Sequence, residues 1–224
     1  MKSARPRQAN GHPPALMKDV EGLVRQALFD AMLNAGSPAA SDQPALTVER
    51  GRTPTAPERL AGNQPGGAAR AQARAMYERC LTHYRNVVRA QDAALNIDDV
   101  GAAVAHFVTA NMQALHPVTV TPAMLLRLER QLGGIVQRSA SWSTASARER
   151  QFYFEQMAIL AVLISESTAL AARQGAAAVA NVQRAASRYL QQLLGMDPQA
   201  LALDARGLHL SGADHRVTAG TTAA

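Results

Sequence analysis

The chain has 224 residues, of which 47% are apolar, 4% aromatic and 18% charged. Twenty-one Arg and 2 Lys against 17 acids leave a formal net charge of +6, and Cys80 is the single cysteine. This balance excludes collagen, a charge-rich disordered chain and a disulfide scaffold, and the length suits one domain with tails. Residues 1–14 are basic and punctuated by Pro and Gly, and read as disordered. Over 15–35, Leu16, Val20, Leu23, Ala27 and Leu28 recur at helical spacing, which predicts an amphipathic helix stopped at Gly36. Residues 36–66 hold five prolines and little periodicity, and are predicted to be a linker or extended wrap.

From Gly67 to Gly195 the pattern is helical throughout. The first long helix is predicted over roughly 68–94, with Met76, Tyr77, Cys80, Tyr84, Val87 and Val88 on one face. Asn96 reads as the cap of the next, with Asp98 and Asp99 in its first turn, exposed and facing the helix dipole. Thr121-Pro122 opens the third helix, and Ser146 with Glu149 forms a capping box for the fourth. Gly175 breaks the run, and a last helix ends at Gly195. The leucines between Leu201 and Leu210 alternate with polar residues, which predicts a hairpin or extended strap; 211–224 read as a disordered tail. The expected fold is all-α: a bundle of about five core helices over 67–210, with a tethered N-terminal helix and a short C-terminal strap.

Several stretches resemble a bacterial domain-of-unknown-function family of small, mostly exported helical proteins. They are Leu46-Thr47-Val48, Asn96-Ile97-Asp98-Asp99-Val100, the run from Arg150 to Met157, and Leu194-Gly195-Met196-Asp197-Pro198 with Leu203-Asp204-Ala205-Arg206-Gly207-Leu208. The similarity covers about residues 45–210 and implies a helical domain without an assigned activity, usually placed behind a signal peptide. Met1 to Arg7 has the basic start of such a peptide but not its apolar stretch, so the chain as written reads as cytoplasmic, or as exported by another signal. The most apolar stretch, Gln156 to Ser165, has ten residues, and no membrane span is expected.

No pattern points to catalysis, a cofactor or a metal. His12, His83, His106, His116, His209 and His215 form no ligand pair and read as surface residues. The hydroxyls around Trp142 lack a nucleophile elbow, and Gly133-Gly134 matches no phosphate-binding loop. Trp142 itself is expected to plug the end of the bundle. Glu155 and Glu166 are too far apart for a proton-sharing dyad and read as salt-bridging groups. Two amides stand out. Asn111 falls within the apolar arc of its helix, and Gln156 falls between Phe152 and Leu160. A buried amide needs a partner, so these helices are expected to pack face to face with the amides meeting a polar partner in the core, each other being one choice; the alternative is a ligand pocket lined by both.

Arg70, Arg74, Arg85 and Arg89 form a stripe on the first long helix, and residues 70–91 sum to +4 from five Arg and one Glu. Phosphate contacts are conceivable there, although no aromatic side chains interleave for base stacking, and nucleic acid is the third choice. The favoured expectation is a non-enzymatic domain that acts through a protein partner or self-association, the 15–35 helix presenting its apolar anchors. Binding of a small ligand by Asn111 and Gln156 is the second.

Overall fold

The computed structural model describes residues 46–49, 51, 53–91 and 97–211. The expected partner helix with Leu16, Val20, Leu23, Ala27 and Leu28, the segment 1–14 and residues 212–224 lie outside the described residues, as does Asn96. Seven α-helices follow in order among the described residues: α1 Ala56–Ala61, α2 Gly67–Gln91, α3 Val100–Leu115, α4 Pro122–Arg138, α5 Ala140–Thr144, α6 Ala147–Gln174 and α7 Ala176–Leu194. A 3-10 turn, Pro198–Ala200, leads into a hairpin of β1 Leu201–Asp204 and β2 Gly207–Leu210. The fold is a mostly helical bundle.

Helix α3 is the hub. It is apolar nearly all round, a pattern that requires burial on every side. It packs against α6, α4 and α7, while α6 also meets α7, α2 and α1. Its small residues Ala103 and Ala105, both fully buried, let these neighbours close in around it. Large side chains from the partners then fill the space: Tyr84 from α2, Leu128 and Leu132 from α4, Tyr153, Phe154 and Met157 from α6, and Leu190 from α7. Helix α4 comes close at Gly101, where the Cα of Gly133 lies 3.1 Å from the position a Cβ would take.

The local signals act as expected at most boundaries. Thr121 accepts from the Met124 amide ahead of Pro122, and the Ser146–Glu149 box is complete in both directions. Gly175 (φ 102°) joins α6 to α7 through a single residue, and Gly195 ends α7 in the left-handed region (φ 67°). The hairpin resolves the strap: Leu201 pairs with Leu210 and Leu203 with Leu208. Gln131 on α4 treats it as a neighbouring strand would, donating from Nε2 to the Leu208 carbonyl (2.8 Å) and accepting the Leu208 amide at Oε1 (3.0 Å).

Three expectations are refined. The predicted linker or extended wrap over 36–66 does wrap the bundle in extended form at 46–48, and it also holds a helix that was not expected. Thr47 pairs with Asp99 in an antiparallel bridge, with Val48 N donating to Asp98 O at 2.8 Å and Val100 N to Leu46 O at 3.0 Å. Helix α1 follows in the same stretch. The bridge keeps the chain extended through Asp99 (ψ 130°), so α3 starts at Val100 with Asp99, not Asn96, as its cap; Asp99 Oδ1 accepts from Ala102 N at 2.9 Å. Asp98 and Asp99 are accordingly buried rather than exposed. The hydroxyl-rich turn also holds a further short helix, α5, capped by Ser139. Trp142 at its centre closes the bundle end as expected, 6% exposed, with the Arg150 guanidinium 5.1 Å from its ring centre.

Helix α6 differs from the expectation about membrane spans. It is 28 residues long and contains a window of mean hydropathy 1.3, half of it buried, so by length and composition alone it could cross a membrane. Here its apolar side chains form the core: Met157, Ala158 and Ile159 are fully covered.

Candidate functional site

Glu155 was expected to form salt bridges. It instead caps another helix. Helix α1 has no side-chain cap of its own. The Glu155 carboxylate, 1% exposed on α6, fills that role from 99 residues away: Oε2 accepts from Thr55 N (2.7 Å), Ala56 N (2.8 Å) and Thr55 Oγ1 (3.2 Å). Oε1 accepts from Gln151 Nε2 (2.7 Å), which also reaches Thr53 O (3.2 Å). The negative charge faces the positive end of α1, so the arrangement is structural.

The two core amides are separate. The helices α3 and α6 do pack against each other, and Asn111 is fully buried. Its Nδ2 donates to Phe107 O at 2.7 Å, in the preceding turn of its own helix, and its Oδ1 has no partner. Gln156 is only half-buried and its Oε1 also lacks a partner. Asn111 does meet a polar partner in the core, the Phe107 carbonyl, but the two amides do not meet each other. A local carbonyl one turn away meets a donor of Asn111 without help from α6, and the Oδ1 acceptor is left unpaired.

The arginine stripe is divided. Arg74 is held between Glu58 and Glu78 at 2.9 Å each, and Arg85 lies 3.3 Å from Asp98 and over the Phe154 ring. Arg70 is exposed, and the side chain of Arg89 lies outside the described ones. Cys80 is buried, which pushes its thiol pKa up and keeps it in the less reactive protonated form. Among the described residues no group of three or more His, Cys, Asp or Glu is placed to hold a metal ion.

What the packing does create is a cavity of about 410 Å³ between α2, α3, α6 and the start of α4. Its walls are mainly apolar: Val87, Ala110, Leu125, Leu126, Ala161 and Val162. Polar residues line it from three helices. Helix α2 contributes His83 and Tyr84, α3 contributes His106, Thr109 and Gln113, and α6 contributes Ser165 and Glu166. The hydroxyls of Tyr84 (2% exposed) and Thr109 are buried with no hydrogen-bond partner. Exposed His83 and Glu166 mark the rim, with Nε2 of one 3.9 Å from Oε1 of the other. Neither Asn111 nor Gln156 lines this cavity.

His106 is therefore a wall of the cavity, not the surface residue expected. Its ring meets Tyr84 edge to face at 5.3 Å, and Nδ1 lies 2.8 Å from Ala102 O. A carbonyl oxygen only accepts, so Nδ1 carries the proton and the neutral ring keeps its acceptor at Nε2. Burial lowers the imidazole pKa below its ordinary 6.5, with the Ala102 bond opposing. The folded state thus favours neutral His106. Its contribution to stability is complete above the unfolded pKa and is lost as pH falls below 6.5 toward the lowered folded value. Burial of Asp99 raises its carboxyl pKa from 3.8, which acts in the opposite sense in a more acid window. The wild-type chain should melt lower at about pH 5.5 than at about pH 7.5, and His106→Gln should narrow that gap. An unchanged gap in the variant would contradict the assignment.

The residues of this site were legible in part. On α3, apolar but for these residues and Asn111, His106, Thr109 and Gln113 recur at i, i+3 and i+7, a polar stripe of helical period that marks one shared face. The search of curated proteins finds no significant match, nor does that of solved structures. The family model that matches is that of a family of unknown function, DUF6683, over residues 15–211. That match takes in the whole described bundle and its hairpin, and it begins where the amphipathic 15–35 segment begins. The chain belongs to this family of unknown function, DUF6683.

Proposed function

We propose that this domain binds a small, mainly apolar molecule in the cavity between α2, α3, α4 and α6, without a chemical step. The observation that supports it is the cavity itself, about 410 Å³ with mainly apolar walls that include Val87, Leu125, Ala161 and Val162. The volume falls within the range of small-molecule sites, about 300–1,000 Å³. An uncharged apolar fluorophore, N-phenylnaphthylamine, tests the reading. Its emission should rise on titration with the wild-type chain, and Thr109→Trp, which fills the cavity, should weaken binding about tenfold or more with the far-UV dichroism retained. Equal binding by the filled variant would overturn the proposal.

A second reading has its own support. The family match begins at residue 15 and so includes the segment with Leu16, Val20, Leu23, Ala27 and Leu28. Membership of the family region favours a role for that segment in docking a protein partner or a second copy of the chain. If it mediates self-association, Leu23→Asp in the full chain should lower the mass measured by light scattering; the same dimer or larger mass in the variant would end that version.

A further inference from the structure

The cavity between α2, α3, α4 and α6 has a candidate occupant in the chain itself. Three of its apolar lining residues, Val87, Val120 and Leu126, remain half-buried. The segment 15–35 lies outside the described residues, and its sequence carries Leu16, Val20, Leu23 and Ala27 at i, i+4, i+7 and i+11. That spacing is one face of a helix, with Lys18 and Arg25 on the opposite side. An amphipathic helix of this kind seats its apolar face in a groove and leaves its charges in water.

Position and length favour docking within one chain. Leu46 is held at the start of α3, its carbonyl accepting from Val100 N at 3.0 Å. The later turns of the same helix, His106 to Gln113, border the cavity. From Val100 to Gln113 the helix axis advances about 20 Å. Residues 36–45 can span about 33 Å when extended, so the segment can reach the cavity. A tether this short gives an effective concentration on the order of millimolar, which a second copy in dilute solution does not match. The family match spans residues 15–211, so the segment and the bundle belong to one family unit. We propose that residues 15–35 dock in cis as a helix on this cavity, with Leu16, Val20 and Leu23 against Val87, Leu126 and Val162. The docking does not depend on the small-molecule reading above, and a ligand would enter the cavity by displacing the segment.

Photocrosslinking of the full chain in dilute solution tests this, with p-benzoylphenylalanine in place of Leu23. Cross-links should form within one chain and map to peptides that contain Val87, Leu126 or Val162. Cross-links to α7 or to the hairpin, cross-links only between two copies, or none at all would overturn the proposal. Fluorophore binding gives a second readout. Leu23→Asp should strengthen N-phenylnaphthylamine binding about threefold by removing the competitor. Unchanged or weaker affinity in that variant would count as failure too. Absence of binding by both chains would overturn the small-molecule reading alone, and the cross-links would still decide this one.

Discussion

Glu155→Ala is expected to destabilise the fold by about 3–5 kcal/mol, the largest effect of a single polar substitution in this molecule. The carboxylate accepts from two backbone amides, one hydroxyl and one side-chain amide, at distances from 2.7 to 3.2 Å. Hydrogen bonds to a charged group contribute about 1.5–3 kcal/mol each, and the Ala56 amide is buried, so removal of its acceptor leaves it without water. Helix α1 has no other N-terminal cap, so its amides should lose protection from hydrogen exchange before those of α3. Glu155→Gln should fall between the two: one oxygen still accepts, while the new NH2 group faces donors. Urea denaturation followed by circular dichroism reads the difference. A loss below about 1 kcal/mol for the alanine variant would show that the segment 53–61 is not held from α6.

Gly101→Val should cost about 3 kcal/mol or more, whereas Gly133→Ala, directly across the same helix crossing, should cost little. The two glycines face each other between α3 and α4, yet their surroundings differ. A Cβ at Gly101 would lie 3.0 Å from the Glu129 carbonyl oxygen, 3.0 Å from Asp99 Oδ1 and 3.1 Å from the Gly133 Cα. Two of those are backbone atoms that move only with the helix, and the third is the acceptor that caps α3. At Gly133 the nearest atoms are the Gly101 Cα at 3.4 Å and Leu46 Cδ1 at 3.6 Å, ordinary contact distances. Alanine there also gains helix propensity, about 1 kcal/mol over glycine, which offsets what crowding remains. Equal losses for both variants in thermal denaturation would contradict the asymmetric crossing.

The sequence carries its helices through local chemistry and is silent where distant groups decide. Thr121-Pro122, Ser146 with Glu149, Gly175 and Gly195 mark boundaries because cap hydroxyls, a first-turn proline and positive-φ glycines act on their immediate neighbours. The start of α3 fails that test. Asn96, Asp98 and Asp99 are all competent caps, and the choice among them is made by Thr47 and Val48 pairing from fifty residues upstream. Helix α1 was missed for the same reason, its cap being a glutamate on α6. Asn111 shows the middle case. Helical periodicity placed it inside correctly, but its donor is met by its own helix, which periodicity does not reveal. The polar stripe His106, Thr109 and Gln113 was present in the sequence, while the space it borders exists only once α2, α4 and α6 pack around it.

The most direct measurement is the titration of N-phenylnaphthylamine with the wild-type chain and with Ala161→Phe, which fills the cavity from α6 instead of α3. The account predicts binding by wild type and a loss of about tenfold or more in the variant with its far-UV dichroism retained. Equal binding by both would contradict it.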